Sequence, residues 1–463
     1  MAKREKLNEK GVPYGARQRM PLWYGATWAS RGVAAAINVV LTAQITYFCT
    51  DLLGLDATII GTLLLVSKII DAFTDLGFGY ILDKTHTRWG KARPYEAFIV
   101  FEWLFTIFLF NTPNIGQTGQ YVWVFIFYTL ISAVCATALG GTDSVYMARV
   151  FTNEQNRIKA MSINGFIVMF CSIAFNIVFP RFLAGAGTTR SGWTVLVIGL
   201  GIVMALIGIL RFIFCREIVE DEVKEDGKKV TNTLSMKESL KAIGQNKYLF
   251  IIVALMFLTF IVNNMQNATT YYFKYIVGNL DLQGTVAITT MVVVPALVVF
   301  PALSKKFGTT KLLQACSLIG VIGIGIRSLG GPNLATLIIG GLLFGIGTLP
   351  ISMMINTYLI DCMDYGEWKT GTRVEGLVAS IANFASKVGS GVASGVTGLI
   401  MGLAGYNGTL AVQSDSANGA IVFLYNFLPL ILFGVMFILS LMYKVDKIRP
   451  QMNADLKKLH GEE

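Results

Sequence analysis

The sequence has few charged residues and almost no histidine, and these shortages argue against most soluble functions. Only 14% of its 463 residues are Asp, Glu, Lys or Arg, against about 25% in a typical soluble domain. Its two histidines, His86 and His460, lie in polar segments, which argues against a histidine-based metal site. The six cysteines form no CxxC pair and lie in or beside apolar runs, so we interpret them as small packing residues. No short apolar segment with a small-residue cleavage site follows the basic residues 1–21, so we expect no removable signal peptide.

The sequence is instead rich in long apolar runs. Hydrophobic residues make up 54% of the chain, and runs of about 20 such residues are long enough to cross a bilayer as helices. The sequence therefore predicts an all-α membrane protein with twelve transmembrane helices. The predicted spans are roughly 22–50, 56–82, 95–112, 119–146, 160–185, 192–215, 248–276, 284–303, 310–328, 333–360, 374–404 and 418–443.

The basic residues of the loops predict how these spans are oriented. Most of them fall on the side that holds both termini, and the opposite side has only Arg181, Arg190, Lys274 and Arg327. By the positive-inside rule, both termini are expected in the cytoplasm of a multi-pass protein of the cell (inner) membrane. The net charge of +10 is then an orientation signal. Because the basic residues form no single patch, we predict no nucleic-acid partner.

A charged segment in the middle of the sequence separates two similar halves. The loop GYILDKTHTRWGKARP after the second span shares its basic and glycine positions with PALSKKFGTTK after the eighth. Both resemble the short loop motif of the major facilitator superfamily, which implies two six-helix bundles with a site at their interface near the midplane. The predicted parts are a cytoplasmic N-terminus (1–21), an N-terminal bundle (22–215), a cytoplasmic central loop (216–247), a C-terminal bundle (248–443) and a cytoplasmic C-terminus (444–463).

Three charged residues lie on one face of the second span. Lys68, Asp71 and Asp75 follow each other at spacings of three and four, and each costs about 2.5–3.5 kcal/mol near the middle of a bilayer. Two close carboxylates resist double ionisation, so at least one is expected to hold a proton or a cation. Carboxylate oxygens and the neighbouring Thr74 hydroxyl suit a small hard cation. We therefore predict a cation site at Asp71, Asp75 and Thr74, with Na⁺ or H⁺ as the coupling ion and no cofactor.

A lysine lies deep inside the eleventh span and needs a partner. Lys387 is about 13 residues, or roughly 20 Å of helix, from one end, which is too far for its side chain to reach the interface. We expect it to pair with Asp71 or Asp75, either as a structural ion pair or in transport. Together with Lys68, it would favour ionised carboxylates and compete with the cation. Both lysines are therefore predicted to couple ion binding to transport.

Polar residues in other spans predict a substrate cavity. In the first span Trp28 and Arg31 share a face, where the indole is suited to stack on a sugar ring and the guanidinium to donate hydrogen bonds. For Trp28 an interfacial aromatic belt is the alternative. Arg211 and Glu102 lie nearer the ends of their spans, and we interpret both as structural.

Amide side chains are the second group of candidate substrate ligands. Asn264 and Asn267 lie in an amide cluster of the seventh span, and Asn383 shares a helical face with Lys387. Amides rarely face lipid, so those of the seventh span either line a cavity or join helices by hydrogen bonds.

Two segments resemble the glycoside–pentoside–hexuronide:cation symporter family, which is melibiose-permease-like and belongs to the major facilitator superfamily. One is DCMDYGEWKTGTRVEG at 361–376 with its continuation to Lys387, and the other runs from Asp71 through RWGKARP. The resemblance covers nearly the whole chain. It implies the twelve-helix fold, uptake of a sugar with Na⁺, Li⁺ or H⁺, a cation site at Asp71 and Asp75, and Lys387 near both cation and sugar. Asp143 corresponds to the family's sugar-contacting acid of the fourth helix once a short gap is allowed.

The sequence differs from the family at site positions, so the resemblance does not identify the sugar or the coupling ion. Gly32 stands where the family has an aspartate that binds the sugar, and Thr74 replaces an Asn between the paired acids. We predict a transporter rather than an enzyme: a monomer in the lipid bilayer that carries a sugar or glycoside with a monovalent cation by alternating access. The alternatives are a carrier of the same fold for a lysolipid or drug, and an intramembrane Mg²⁺-dependent prenyltransferase with aspartate-rich motifs. The amide cluster favours a polyhydroxylated substrate, and twelve spans are too many for the prenyltransferase.

Overall fold

The structure is a computed structural model. It describes residues 14–16, 20–85, 87–152, 154–218, 243–265, 268–288, 299–300, 303–304, 306–371 and 375–460. All regular elements among these residues are helices, and the one β-type contact is an isolated bridge between Thr87 and Gly90. This agrees with the all-α prediction, because a helix satisfies every backbone hydrogen bond within its own segment when water is absent.

Six long helices precede the charged central segment. A 40° bend follows the first of them, and a π-helical turn at Leu130–Ala136 interrupts the fourth. The helices are α1 (Leu22–Thr42, continued after the bend by Ile45–Leu52), α2 (Ala57–Lys84), α3 (Phe98–Phe110), α4 (Gly116–Val150), α5 (Glu154–Ala184) and α6 (Arg190–Gly208, continued by Leu210–Phe214).

The second half of the chain has the same kind of helices and ends in an amphipathic one. Short helices at Ala268–Tyr271 and Asp281–Ala287 follow the first helix of this half. The long helices are α7 (Lys247–Asn264), α8 (Thr309–Gly330), α9 (Leu334–Thr370), α10 (Glu375–Leu403), α11 (Asp415–Val422, continued through the π-helical turn Phe423–Phe427 by Leu428–Met442) and α12 (Val445–His460).

Eight of the described helices are long and apolar enough to cross a membrane, and the bent pair at α1 makes up to nine. The predicted third span is a helix of 13 residues, α3, which follows a 3₁₀ turn at Arg93–Ala97. The predicted eighth span, 284–303, falls mostly outside the described residues. The eleventh span forms α10, which is 29 residues long but is not among the eight. The protein is thus a multi-pass helical membrane protein, and the count of twelve stays a prediction.

The chain divides into two compact units, Met1–Leu55 with Val66–Gly227 and Asp56–Leu65 with Lys228–Glu463. The first turns of α2 belong to the second unit. Small residues at this position allow these turns to pack closely on α10. A Cβ added to Gly61 would lie 2.8 Å from the Cα atom of Gly398. Two glycines at this spot let the helix backbones approach, as is common in membrane proteins.

In each unit one acid holds a loop motif in place: Glu217 just after α6 in the first unit, and Asp446 in the first turn of α12 in the second. The Glu217 carboxylate accepts hydrogen bonds from the backbone N–H groups of residues 91–93 at 2.6–3.1 Å and from Arg149 Nε at 2.6 Å. In the second unit Asp446 accepts from Thr310 N at 2.7 Å and Thr309 Oγ1 at 3.0 Å. Both loops belong to the repeated basic motifs seen in the sequence.

Candidate functional site

The Asp71 carboxylate lies in the middle of α2 and is almost completely buried. The residue is 2% exposed, and its Oδ1 atom accepts a hydrogen bond from Thr137 Oγ1 at 3.1 Å. The Lys68 ammonium, one turn earlier on the same helix, lies 3.5 Å from Oδ2. The structure thus brings together Lys68 and Asp71, as their spacing predicts, and adds a hydroxyl from α4.

Two threonines place hydroxyl groups beside this carboxylate. The Thr74 hydroxyl donates to the backbone carbonyl of Asp71 at 3.0 Å and lies 3.5 Å from Thr137 Oγ1. Thr137 directly follows the π-helical turn of α4, and such turns are frequent at functional sites. The sequence reasoning missed Thr137. The only signal available for it was a hydroxyl group within an apolar run.

The donor set around Asp71 fits a small hard cation or a proton. Carboxylate and hydroxyl oxygens are the ligands that such ions prefer. Asp75, one turn further along α2, is partly buried. Among the described residues no group of three or more His, Cys, Asp or Glu side chains could hold a metal ion.

The ammonium group of Lys68 is the protein's own positive charge beside the Asp71 carboxylate. Its side chain is 22% exposed, and its ammonium lies 5.7 Å from the centre of the Tyr128 ring. It is the positively charged group that contacts the Asp71 carboxylate from the same helix.

A second buried charge network links α1, α4 and α6 in the first unit. Arg31 and Arg211 both pair with the Asp143 carboxylate, the latter at 2.6 Å. Both also lie beside Glu96, with Nε atoms 3.3 and 3.2 Å from Oε2. The Asp143 side chain is 40% exposed, whereas the other three side chains are at most 10% exposed. Asp143 is therefore the most exposed member of this network.

Glu96 is the member of this network that the sequence reasoning missed. It lies in the 3₁₀ turn that precedes α3, next to a polar loop, where a glutamate is ordinary. Its burial follows from the two guanidinium groups of distant helices, which no local pattern predicts.

Trp28 is buried in this network rather than lining an accessible surface. The residue is 1% exposed, and its ring lies 3.4 Å from the Arg211 guanidinium carbon and is stacked with Tyr146 at 5.3 Å. The predicted stacking on a sugar would need an accessible ring face, which this packing does not leave.

The candidates of the second unit lie on α7 and α10. The Asn264 amide donates to Ser390 Oγ at 3.0 Å and to the Phe260 carbonyl at 2.8 Å. It therefore joins the two helices, which is the second of the two roles considered for it. Asn383 is exposed and Lys387 is partly buried on α10.

Two further predictions concern Asn267 and Lys387. Asn267 lies outside the described residues. The pairing of Lys387 with Asp71 or Asp75 stays a prediction.

Comparison with known proteins identifies the family of this chain. The profile of the family described as MFS/sugar transport protein matches residues 30–447. The isoprimeverose transporter of Lactiplantibacillus pentosus is 31% identical over 92% of this chain and 88% of its own. An inner membrane symporter of Escherichia coli K12 is 24% identical over 88% of this chain and 87% of its own. The solved structure of the nucleoside transporter NupG, at 13% identity, shares the fold with a TM-score of 0.60 over 90% of this chain and 99% of that one. The chain therefore belongs to the MFS/sugar transport protein family, the sugar:cation symporters of the major facilitator superfamily.

Proposed function

We propose that this symporter takes up a glycoside together with Na⁺ or H⁺ by alternating access, with Asp71 at the centre of the cation site. The observation that carries this proposal is the buried Asp71 carboxylate with the Thr137 hydroxyl at 3.1 Å and the Lys68 ammonium at 3.5 Å. In the same proposal the chain crosses the cell membrane twelve times in two six-helix bundles, acts as a monomer and keeps both termini in the cytoplasm.

Competition between Lys68 and the coupling ion supports this role for Asp71. An ion pair at about 4 Å has a Coulomb energy of about 4 kcal/mol at an effective dielectric constant of 20, before desolvation reduces it. A cation bound with a millimolar Kd gains about 4 kcal/mol. In this proposal an ion held with a Kd in that range would displace the ammonium and leave again. Reversible exchange of this kind is what a coupling site requires, and Asp75 and Thr74 would complete the oxygen ligands.

The sugar-binding groups we propose are those that a solute can reach. The half-exposed Asp143 carboxylate can accept hydrogen bonds from sugar hydroxyls while Arg31 and Arg211 hold it in place. In the second unit the exposed Asn383 and the partly buried Lys387 are the corresponding candidates. Trp28 and Asn264 are then packing and helix-joining residues. A glycoside is the cargo class we favour, in line with the transporter named for isoprimeverose among the relatives.

An uptake screen in proteoliposomes tests this function. Purified protein is reconstituted and supplied with radiolabelled mono- and disaccharides under an imposed Na⁺ gradient, an imposed pH gradient, or neither. We expect at least one glycoside to accumulate above its external concentration under one of the gradients. Absence of accumulation for every sugar under both gradients, with protein that still unfolds cooperatively, would contradict the proposal.

A further inference from the structure

Glu102 is a buried acid that belongs to neither of the two charge clusters described above. It lies in the second turn of α3 and is 3% exposed. Its Oε2 atom has no hydrogen-bond partner in the described part of the chain. No Lys or Arg nitrogen of the described residues forms an ion pair with it within 4.0 Å. Glu96, equally buried, has two guanidinium groups at 3.3 Å or less.

This difference in partners determines the charge of each acid. Removing a carboxylate from water costs several kcal/mol, which a well-placed counter-ion or hydrogen bond must offset. Glu96 has two such counter-ions, the guanidinium groups of Arg31 and Arg211. Within the described residues Glu102 has no Lys or Arg nitrogen within 4.0 Å, so the neutral acid is the form that this buried environment stabilises. We propose that Glu102 is a proton-binding site of the transporter.

Charged groups on neighbouring helices lie around Glu102, so a change in its protonation would change the electrostatic interactions of those groups. Arg31 of α1 and Lys68 of α2 interact with it electrostatically, as does Cys135 in the π-helical turn of α4. The fourth neighbour, α6, faces α3 with Gly201 and Gly208. Arg31 and Lys68 are the two cations that pair with Asp143 and Asp71.

A proton on Glu102 therefore influences both candidate sites at once. When the acid is neutral, Lys68 stays with Asp71 and Arg31 stays with Asp143. When the proton leaves to water, the new carboxylate competes for the same two cations and weakens both pairs. The inference rests on the proposed function, because it makes sugar binding at the Asp143 network depend on a proton. It assigns H⁺ as an ion that this chain binds, whichever ion occupies Asp71.

Sugar exchange measured across pH tests the proposal. Exchange between equal sugar concentrations needs no gradient, so it isolates binding and conformational change. We expect wild-type exchange to fall several-fold as the pH is raised through the range from about 5 to 9. E102Q mimics the neutral acid, so its exchange should stay at the low-pH value throughout. A control on the same helix, W103F, removes no acid and should keep the wild-type profile. An E102Q profile that falls as in the wild type, or a pH-independent wild type, would overturn the proposal.

A second readout does not depend on knowing the sugar. The infrared spectrum separates protonated carboxyl groups from carboxylates in the purified protein. We expect a protonated-carboxyl band at neutral pH in the wild type that is absent from E102Q and from E102L, the latter carrying no polar atom at this position. If the band is unchanged in a variant that folds, the proposal is wrong. A wild type that transports no sugar would overturn the proposed function instead, and the infrared result would still decide on Glu102.

Discussion

The Lys68 ammonium lies 3.5 Å from the Asp71 carboxylate, one turn away on the same helix. The pair is buried on the carboxylate side and 22% exposed on the lysine side. An ion pair that is open at one end can be broken by an ion entering from that end. The contact between these two residues is the basis of the cation site that we propose at Asp71.

Replacing Lys68 by alanine should strengthen binding of the coupling cation. The substitution removes the competitor for Asp71, so we expect the cation concentration that gives half-maximal sugar uptake to fall by about tenfold, which corresponds to about 1.4 kcal/mol. The measurement is sugar uptake as a function of Na⁺ or H⁺ concentration. The matched control is K68R, which keeps the positive charge and should stay within a few-fold of the wild type. An unchanged or weaker cation dependence in K68A would contradict the competition.

Replacing Thr137 by valine should weaken binding of the coupling cation. Valine keeps the branched shape but loses the hydroxyl that lies 3.1 Å from Asp71. A hydrogen bond to a charged group contributes about 1.5–3 kcal/mol, so we expect the half-maximal cation concentration to rise by about tenfold to a hundredfold. T137S retains the hydroxyl and should remain near the wild type. If T137V and T137S behave alike, the hydroxyl is not part of the cation site.

Trp28 should prove to be a packing residue. Its indole is buried against Arg211 and Tyr146, so W28F should lower the free energy of unfolding by about 1–3 kcal/mol and change the sugar Kd less than twofold. Thermal unfolding and sugar binding to the purified variant measure the two effects. A tenfold loss of sugar affinity with unchanged stability would instead support stacking on the sugar.

Glu217 should stabilise the first unit through the loop that it holds. Its carboxylate accepts three backbone hydrogen bonds and one from Arg149. E217A leaves these donors without an acceptor, and we expect a loss of about 3 kcal/mol or more, since each donor to a charged group counts for about 1.5–3 kcal/mol. The exposed Asp281 supplies the control D281N, which should leave the thermal unfolding temperature unchanged. Equal unfolding temperatures for E217A and D281N would show that the loop does not depend on Glu217.

The sequence predicted best the features that depend on neighbouring residues. The second span, predicted at 56–82, is the helix Ala57–Lys84, because one long apolar run is a strong local signal. The contact between Lys68 and Asp71 followed from a spacing of three on a helix. The bend after Thr42 was not predicted, since the apolar run continues through it.

Features that depend on distant residues could not be predicted in this way. Arg31 meets Asp143 across 112 positions of the sequence, and Thr137 meets Asp71 across 66. The burial of Trp28 was not predictable, because residue type and helical face do not reveal whether a ring is covered. The surroundings of Glu102 were not predictable for a similar reason: position within a span does not reveal which charged groups of the described residues lie near an acid.

The central claim is that Asp71 holds the coupling cation, and D71N tests it most directly. The amide keeps the size of the side chain but removes the charge that binds the ion. Accumulation of a sugar under an ion gradient and exchange of the same sugar without a gradient are measured in the same proteoliposomes. We predict that D71N loses concentrative uptake while retaining a measurable part of the exchange. Accumulation by D71N at the wild-type level would contradict the account.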